Sequence, residues 1–272
     1  MLINVLGGHI PVCELAGSYR SGDQILKLAR AVRNEGKFEV ENSESTVLLE
    51  EGPIEEVAGQ LKSAGYRIEE VLFVSPTRYI EKTSAELVVP ALRKVWNPGG
   101  ERILGTNLYV GDPVICIEND YADLKERQSI RHPERNIDIY NGYRGVITRQ
   151  GKETVWVRYE IRGEQKEVPY TLYEIPYWLE QAYCITVHKS QGGGWPVVVF
   201  IGQEGIDRQL LYTGITRAKD KLILIGKREW WEEGVKTKTP PPLSKFGFRV
   251  LRELEKAEEQ RAGDTRRVLT WE

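Results

Sequence analysis

The stretch AYCITVHKSQGGGWPVVVFIG, residues 182–202, sets two apolar runs on either side of a polar, glycine-rich loop. The flanks read as buried strands, one over 182–187 and one over 197–201. An unbroken run such as Val197-Val198-Val199-Phe200-Ile201 suits a strand covered on both faces. KLILIG at 221–226 repeats the pattern after a helical stretch over 208–218. Strands alternating with helices predict an α/β fold with a parallel sheet and helices on both faces. Thr186, His188, Lys189, Ser190 and Gln191 then fall at the C-terminal end of a parallel strand, the edge where such sheets bind ligands. Gly192, Gly193 and Gly194 let backbone approach a ligand closely. The loop is either an ordinary connection or a place where backbone meets a phosphate.

The same texture precedes it. Residues 21–36 read as a helix opened by a capping box, Ser21 with Gln24, carrying Ile25, Leu26, Ala29 and Val32 on one face and closed by Gly36. A second helix starts at Pro53, buries Ile54, Val57, Ala58 and Leu61, and stops at Gly65. VLFVS at 71–75 is a buried-strand run, and a helical stretch containing Pro90 follows to Trp96. From about 105 to 178 the pattern changes to short β-rich runs broken at Gln150-Gly151 and Arg162-Gly163, which predicts a small antiparallel, SH3-like β-barrel. Residues 1–104 and 179–228 thus form two parts of one domain and 105–178 its insertion. A proline-rich link and a charged helix occupy 229–272.

Composition narrows the function classes. Among 272 residues, 38 are basic and 40 acidic, so net charge gives no support for a nucleic-acid partner, although a local basic groove remains compatible with it. Cys13, Cys116 and Cys184 lack metal-ligand spacing and read as buried thiols in a reducing cytoplasm. No apolar run approaches the ~18 residues of a membrane span, and the first residues lack a signal-peptide pattern.

Two positions can hold an anion. In DRQLLYTGITRAKD, 207–220, Leu210, Leu211, Gly214, Ile215 and Ala218 share one helix face, while Tyr212, Thr213, Thr216 and Arg217 share another. Arg217 is then a rigidly held charge or an ordinary surface arginine. Arg20 precedes a helix N-terminus, itself attractive to anions. No Ser–His–Asp arrangement is visible for hydrolysis by His188. The P-loop pattern G-x-x-x-x-G-K-[ST] occurs nowhere, nor does an apolar strand ending in Asp-Glu.

Taken in order, ELAGSYRSGDQILKLA (14–29), VLFVSPTRYIEKTSAELVVPALRKVWNP (71–98), YVGDPVICIENDY (109–121), DIYNGYRGVI (138–147), AYCITVHKSQG (182–192) and LLYTGITRAKDKLILIG (210–226) resemble the second half of a superfamily 1 DNA helicase of the RecD-like branch. The resemblance implies a RecA-like domain without its own P-loop, carrying an inserted barrel. It implies Arg20 and Arg217 as arginine fingers, with Gln191, Gly192, Gly194 and Thr213 coupling to the nucleotide. Thr77, Arg78, Tyr140, Asn141, Tyr143, Thr186, His188, Lys189 and Ser190 would face single-stranded DNA. ATP and Mg2+ would be bound only in the assembled enzyme, with a P-loop domain in the same full-length protein or on a separate subunit. The chain alone is expected to be inactive, cytoplasmic and free of membrane or metal sites. Two positions depart from the family pattern. Gly194 stands where a Glu is usual, and Gly214 stands where Ala is usual, at ~1 kcal/mol of helix stability. The alternatives are a non-hydrolytic single-strand-binding or interaction module derived from a helicase, and a structural domain with relic motifs.

Overall fold

The computed structural model describes residues 21–50, 52–78, 85–119 and 139–237, all within one compact unit, Tyr19–Lys238. Arg20, the proline-rich link and the charged C-terminal helix lie outside the described residues.

In chain order the elements are α1 (Asp23–Arg30, continued by a π-turn over Ala31–Glu35), β1 (Thr46–Leu49), α2 (Ile54–Ser63), β2 (Val71–Ser75) and α3 (Ala85–Trp96). Then come β3 (Pro113–Cys116), β4 (Arg144–Gln150), β5 (Thr154–Ile161), β6 (Glu164–Thr171), α4 (Ile175–Trp178) and β7 (Leu179–Gln181). β8 (Cys184–Thr186), β9 (Trp195–Ile201), α5 (Arg208–Ile215), β10 (Ala218–Ile225) and α6 (Arg228–Gly234) complete the described chain.

A five-stranded parallel sheet has the order β1-β10-β9-β2-β8. Its central strands are the continuous apolar runs, as their lack of alternation requires. Successive residues point to opposite faces. Leu72, Val74, Val198 and Phe200 meet α1, α5 and α6, while Val71, Phe73, Val197 and Val199 meet α2 and α3.

The ends of two helices differ from expectation. Ser21 and Gln24 form no capping box, and α1 is capped by Gly22 without a side-chain bond. Ser21 Oγ donates instead to Ala218 O at 2.5 Å, and Gln24 Oε1 accepts from Ser45 at 3.0 Å and from Ser43. These side chains tie α1 to neighbouring strands, a tertiary use that overrides the local one. Leu28 is buried, while Leu26 is only partly so. α5 stops at Ile215, three residues early, so Arg217 and Ala218 leave the helix and Ala218 opens β10.

Gly214 has a packing role that helix propensity hides. A Cβ there would overlap the ring of Phe200, which is fully buried and lies edge-on to Trp231 with centroids 5.2 Å apart.

The second sheet is antiparallel, with order β6-β5-β4-β3-β7. Its β5–β6 hairpin turns on Arg162 and Gly163, at φ 54° and 81°, the two-residue turn that the strand twist favours. Val114, Ile147, Val155, Val157 and Val168 fill a core of its own. The strand expected over 182–187 shortens to β8, and the residues just before it form a separate strand in the other sheet. β7 pairs with β3 at 179–181, and β8 pairs with β2 at 184–186.

At that division sits a buried acid. Asp112 accepts from Arg93 Nη2 at 2.9 Å, Asn97 Nδ2 at 2.9 Å, the Tyr183 hydroxyl at 2.8 Å and Tyr109 N at 3.0 Å. Burial and the Asp112 charge hold the Tyr183 phenol above its ordinary pKa. A second tie is the Arg144 guanidinium, whose Nη1 donates to Val71 O at 2.8 Å across the sheets. Its Nε and Nη2 are shut off from water without a hydrogen-bond partner, and burial pulls its pKa down to about 10.

Gly214→Ala separates packing from propensity. Helix propensity alone predicts a gain of ~1 kcal/mol. Overlap with Phe200 predicts a loss of about 1–3 kcal/mol, read as a lowered urea midpoint.

Candidate functional site

Two edges of the parallel sheet gather the residues singled out from the sequence. β8 and β2 end side by side, Thr186 against Ser75, and open the first edge. Beyond β2, Thr77 Oγ1 donates to Gln203 Oε1 at 3.0 Å. Arg78 Nη2 meets Glu180 Oε1 at 2.7 Å and Glu86 Oε1 at 3.2 Å. Beyond β8, Thr186 Oγ1 accepts from Lys189 N at 3.3 Å, and Lys189 Nζ meets Glu180 Oε2 at 2.5 Å. His188 is exposed, whereas Ser190 is buried with its hydroxyl on Val187 O at 2.7 Å. Ser190 thus holds the turn's shape rather than presenting a side chain.

Glu180 is the residue that sequence reasoning missed. It sits in β7 of the other sheet, and its two oxygens join a residue after β2 to a residue after β8. Nothing in WLEQAY marks it, because the contact exists only once two sheets are docked. Two cations and two carboxylates make this cluster electrically neutral as it stands: Arg78 and Lys189 against Glu180 and Glu86.

The second edge lies at the strands' beginnings, where Trp195 pairs with Ala218 and Trp195 N donates to Arg217 O at 2.9 Å. Arg217 follows α5 in a turn. Its Nε donates to Thr213 O at 3.0 Å, Nη1 to Gly193 O at 3.0 Å and Nη2 to Thr216 Oγ1 at 3.2 Å. The guanidinium therefore clasps the glycine loop to the end of the helix. Gly192 takes φ 88°, and a Cβ on Gly193 would overlap the Trp195 ring, so at these two positions glycine answers a structural need. Gln191 is exposed. Gly194 lines a cleft of about 560 Å³ with Trp195, Tyr143, Arg144 and Lys219. Tyr143 lies edge-on to Tyr140, and the backbone of exposed Asn141 donates to Asn119 Oδ1 at 2.9 Å.

Residues 187–194 connect the two edges. By strand register, Thr186 and Trp195 are separated along the sheet by about six residues' rise, roughly 20 Å. Eight residues make a crossing that parallel strands usually give to a dozen or more.

Known proteins match this region. The model of the UvrD-like helicase C-terminal domain matches residues 181–225, which hold the crossing loop and Arg217. The ATP-dependent RecD2 DNA helicase of Deinococcus radiodurans is 29% identical over 147 residues, 52% of this chain and 18% of that protein. The RecBCD enzyme subunit RecD of Mycolicibacterium smegmatis is 26% identical over 252 residues, 83% of this chain and 41% of that protein. An uncharacterised protein of Methanocaldococcus jannaschii is 32% identical over 130 residues, 44% of this chain and 11% of its own length. The chain thus spans between a tenth and about two fifths of the curated relatives named. A solved Pif1 helicase structure aligns with 90% of this chain and 54% of that one, at 14% identity and a TM-score of 0.42. The family match and the RecD relatives support a C-terminal part of a superfamily 1, RecD-like helicase.

The two shared acids separate by what they hold. Asp112→Asn leaves Arg93 without its buried counter-charge and is expected to cost about 3–5 kcal/mol. Glu180→Gln, between side chains each about a third exposed, is expected to cost ~1 kcal/mol or less. Urea denaturation of both variants measures the ranking, and equal losses would refute it.

Proposed function

We propose that this C-terminal part of a superfamily 1, RecD-like helicase is one motor half of an ATP-dependent translocase on single-stranded DNA. The observation that carries the reading is the short crossing loop, 187–194, with Arg78 and Lys189 at one end and the Arg217 clasp at the other. In this reading Arg78 and Lys189 take DNA phosphates, with Thr77, Thr186 and His188 beside them, while Asn141 and Tyr143 contact the strand from the other edge, where Tyr143 shares a cleft with Gly194. Gln191, Gly192, Gly194 and Thr213 lie on the nucleotide side, with Ser190 fixing the turn between.

The residues suit a contributor to an ATP site rather than its holder. A guanidinium fixed at the sheet edge can neutralise charge on a transferring phosphoryl group, and such a finger adds about 10³–10⁵ in rate. The P-loop sequence is absent from this chain. ATP and Mg2+ are therefore assigned to a P-loop domain elsewhere in the full-length protein or on a partner subunit. Arg20 is the second candidate finger. The antiparallel sheet, read as an SH3-like barrel, lies over the DNA path.

Two substitutions test the halves of the reading. With the P-loop domain supplied, Arg217→Lys is expected to lower ATP turnover at least 10³-fold while oligonucleotide binding persists. Arg78→Ala and Lys189→Ala should each weaken oligonucleotide binding and reduce its salt dependence by about one phosphate contact. Full turnover by the Arg217 variant sinks the finger assignment. Salt-sensitive binding by this chain alone, indifferent to nucleotide and P-loop domain, favours the non-hydrolytic binding module.

A further inference from the structure

Tyr173 and Tyr177 are 72% and 59% exposed, yet they sit on a tightly fixed segment. Thr171 N donates to the buried Glu174 carboxylate at 2.7 Å, and Tyr177 N and Trp178 N donate to Glu174 O at 2.9 and 3.1 Å. Ile175 and Trp178 of α4 anchor the same turn in the core of the antiparallel sheet. The two tyrosine rings point out together, centroids 5.6 Å apart and tilted by 45°. Leaving two aromatic side chains in water forgoes burial energy, and a fixed backbone beneath them lowers the cost of meeting a flat partner.

Their position says which partner. Three residues beyond Tyr177, roughly 10 Å along the chain, β7 presents Glu180, which carries Arg78 and Lys189. Exposed aromatic faces beside phosphate-type cations are the two components of a single-strand site: rings stack bases, cations follow the backbone. We infer that Tyr173 and Tyr177 form a base-stacking platform for single-stranded nucleic acid at the end of the Arg78–Lys189 track. This rests on the proposed reading of that track. The ligand is a run of unpaired bases, since paired bases hide the faces these rings would meet.

The test is fluorescence anisotropy with the full chain, with and without the P-loop domain, using labelled oligothymidylate and an abasic oligonucleotide of the same length. Alanine at both tyrosines is expected to weaken oligothymidylate binding at least tenfold, by analogy with stacked aromatics elsewhere, and to leave abasic binding unchanged. Phenylalanine at both should restore wild-type affinity, and alanine at the exposed Leu104 should change nothing. If the double alanine variant keeps its affinity while Arg78→Ala and Lys189→Ala lose theirs, the platform is wrong and the track stands. Equal losses on both oligonucleotides also overturn the platform, because the rings would not be reading bases. If the wild type binds neither oligonucleotide under any condition, both the platform and the track fail.

Discussion

Asp112 is a carboxylate with no access to water, met by a guanidinium, an amide, a phenol and a backbone N–H. A lone buried carboxylate is costly, and only donors fixed on several sides make it tolerable. Here the donors come from the two ends of the insertion and from the helix before it. Arg93 lies in α3, Asn97 follows it where the chain leaves the parallel-sheet domain, and Tyr183 stands where it returns. The acid therefore closes the gap through which the antiparallel sheet is inserted. It also explains the split of 179–187 between two sheets, since Tyr183 must reach inward to Asp112 before Cys184 joins β2. The Arg93 guanidinium stacks over Tyr109, 4.4 Å from the ring centroid, which fixes the same corner from a third side.

Much of the parallel sheet was legible because its chemistry is local. Unbroken apolar runs at 71–74, 197–201 and 222–225 suit strands buried on both faces, and each lies within one. Helix ends were less legible. Ser21 and Gln24 carry the letters of a capping box, but a hydroxyl and an amide answer to whichever partner folding brings near. Gly214 looked like a minor defect because propensity counts only its own helix, whereas Phe200 belongs to a strand that the helix covers.

The candidate site divides along the same line. Residue types such as Arg78, Lys189 and Arg217 were visible as chemistry without partners. Their partners were not: Glu180 arrives from another sheet, and the groups around Arg217 are carbonyls and a hydroxyl of a neighbouring loop and its own helix. The expectation that Arg217 rides on a helix gave way because α5 ends where Ala218 must begin pairing with Trp195.

The length of the crossing loop has a mechanical consequence. Nine links fully drawn out reach only about 30 Å, and the span to be covered is roughly 20 Å. The loop nonetheless coils through turns, with Ser190 N on Thr186 O and Gly193 N on Ser190 O. Little slack remains once those turns are made. A residue removed from 187–194 would have to unwind a turn, and a residue added would let either end move without pulling on the other. The number of residues in this segment thus limits how far the two edges of the sheet can move apart.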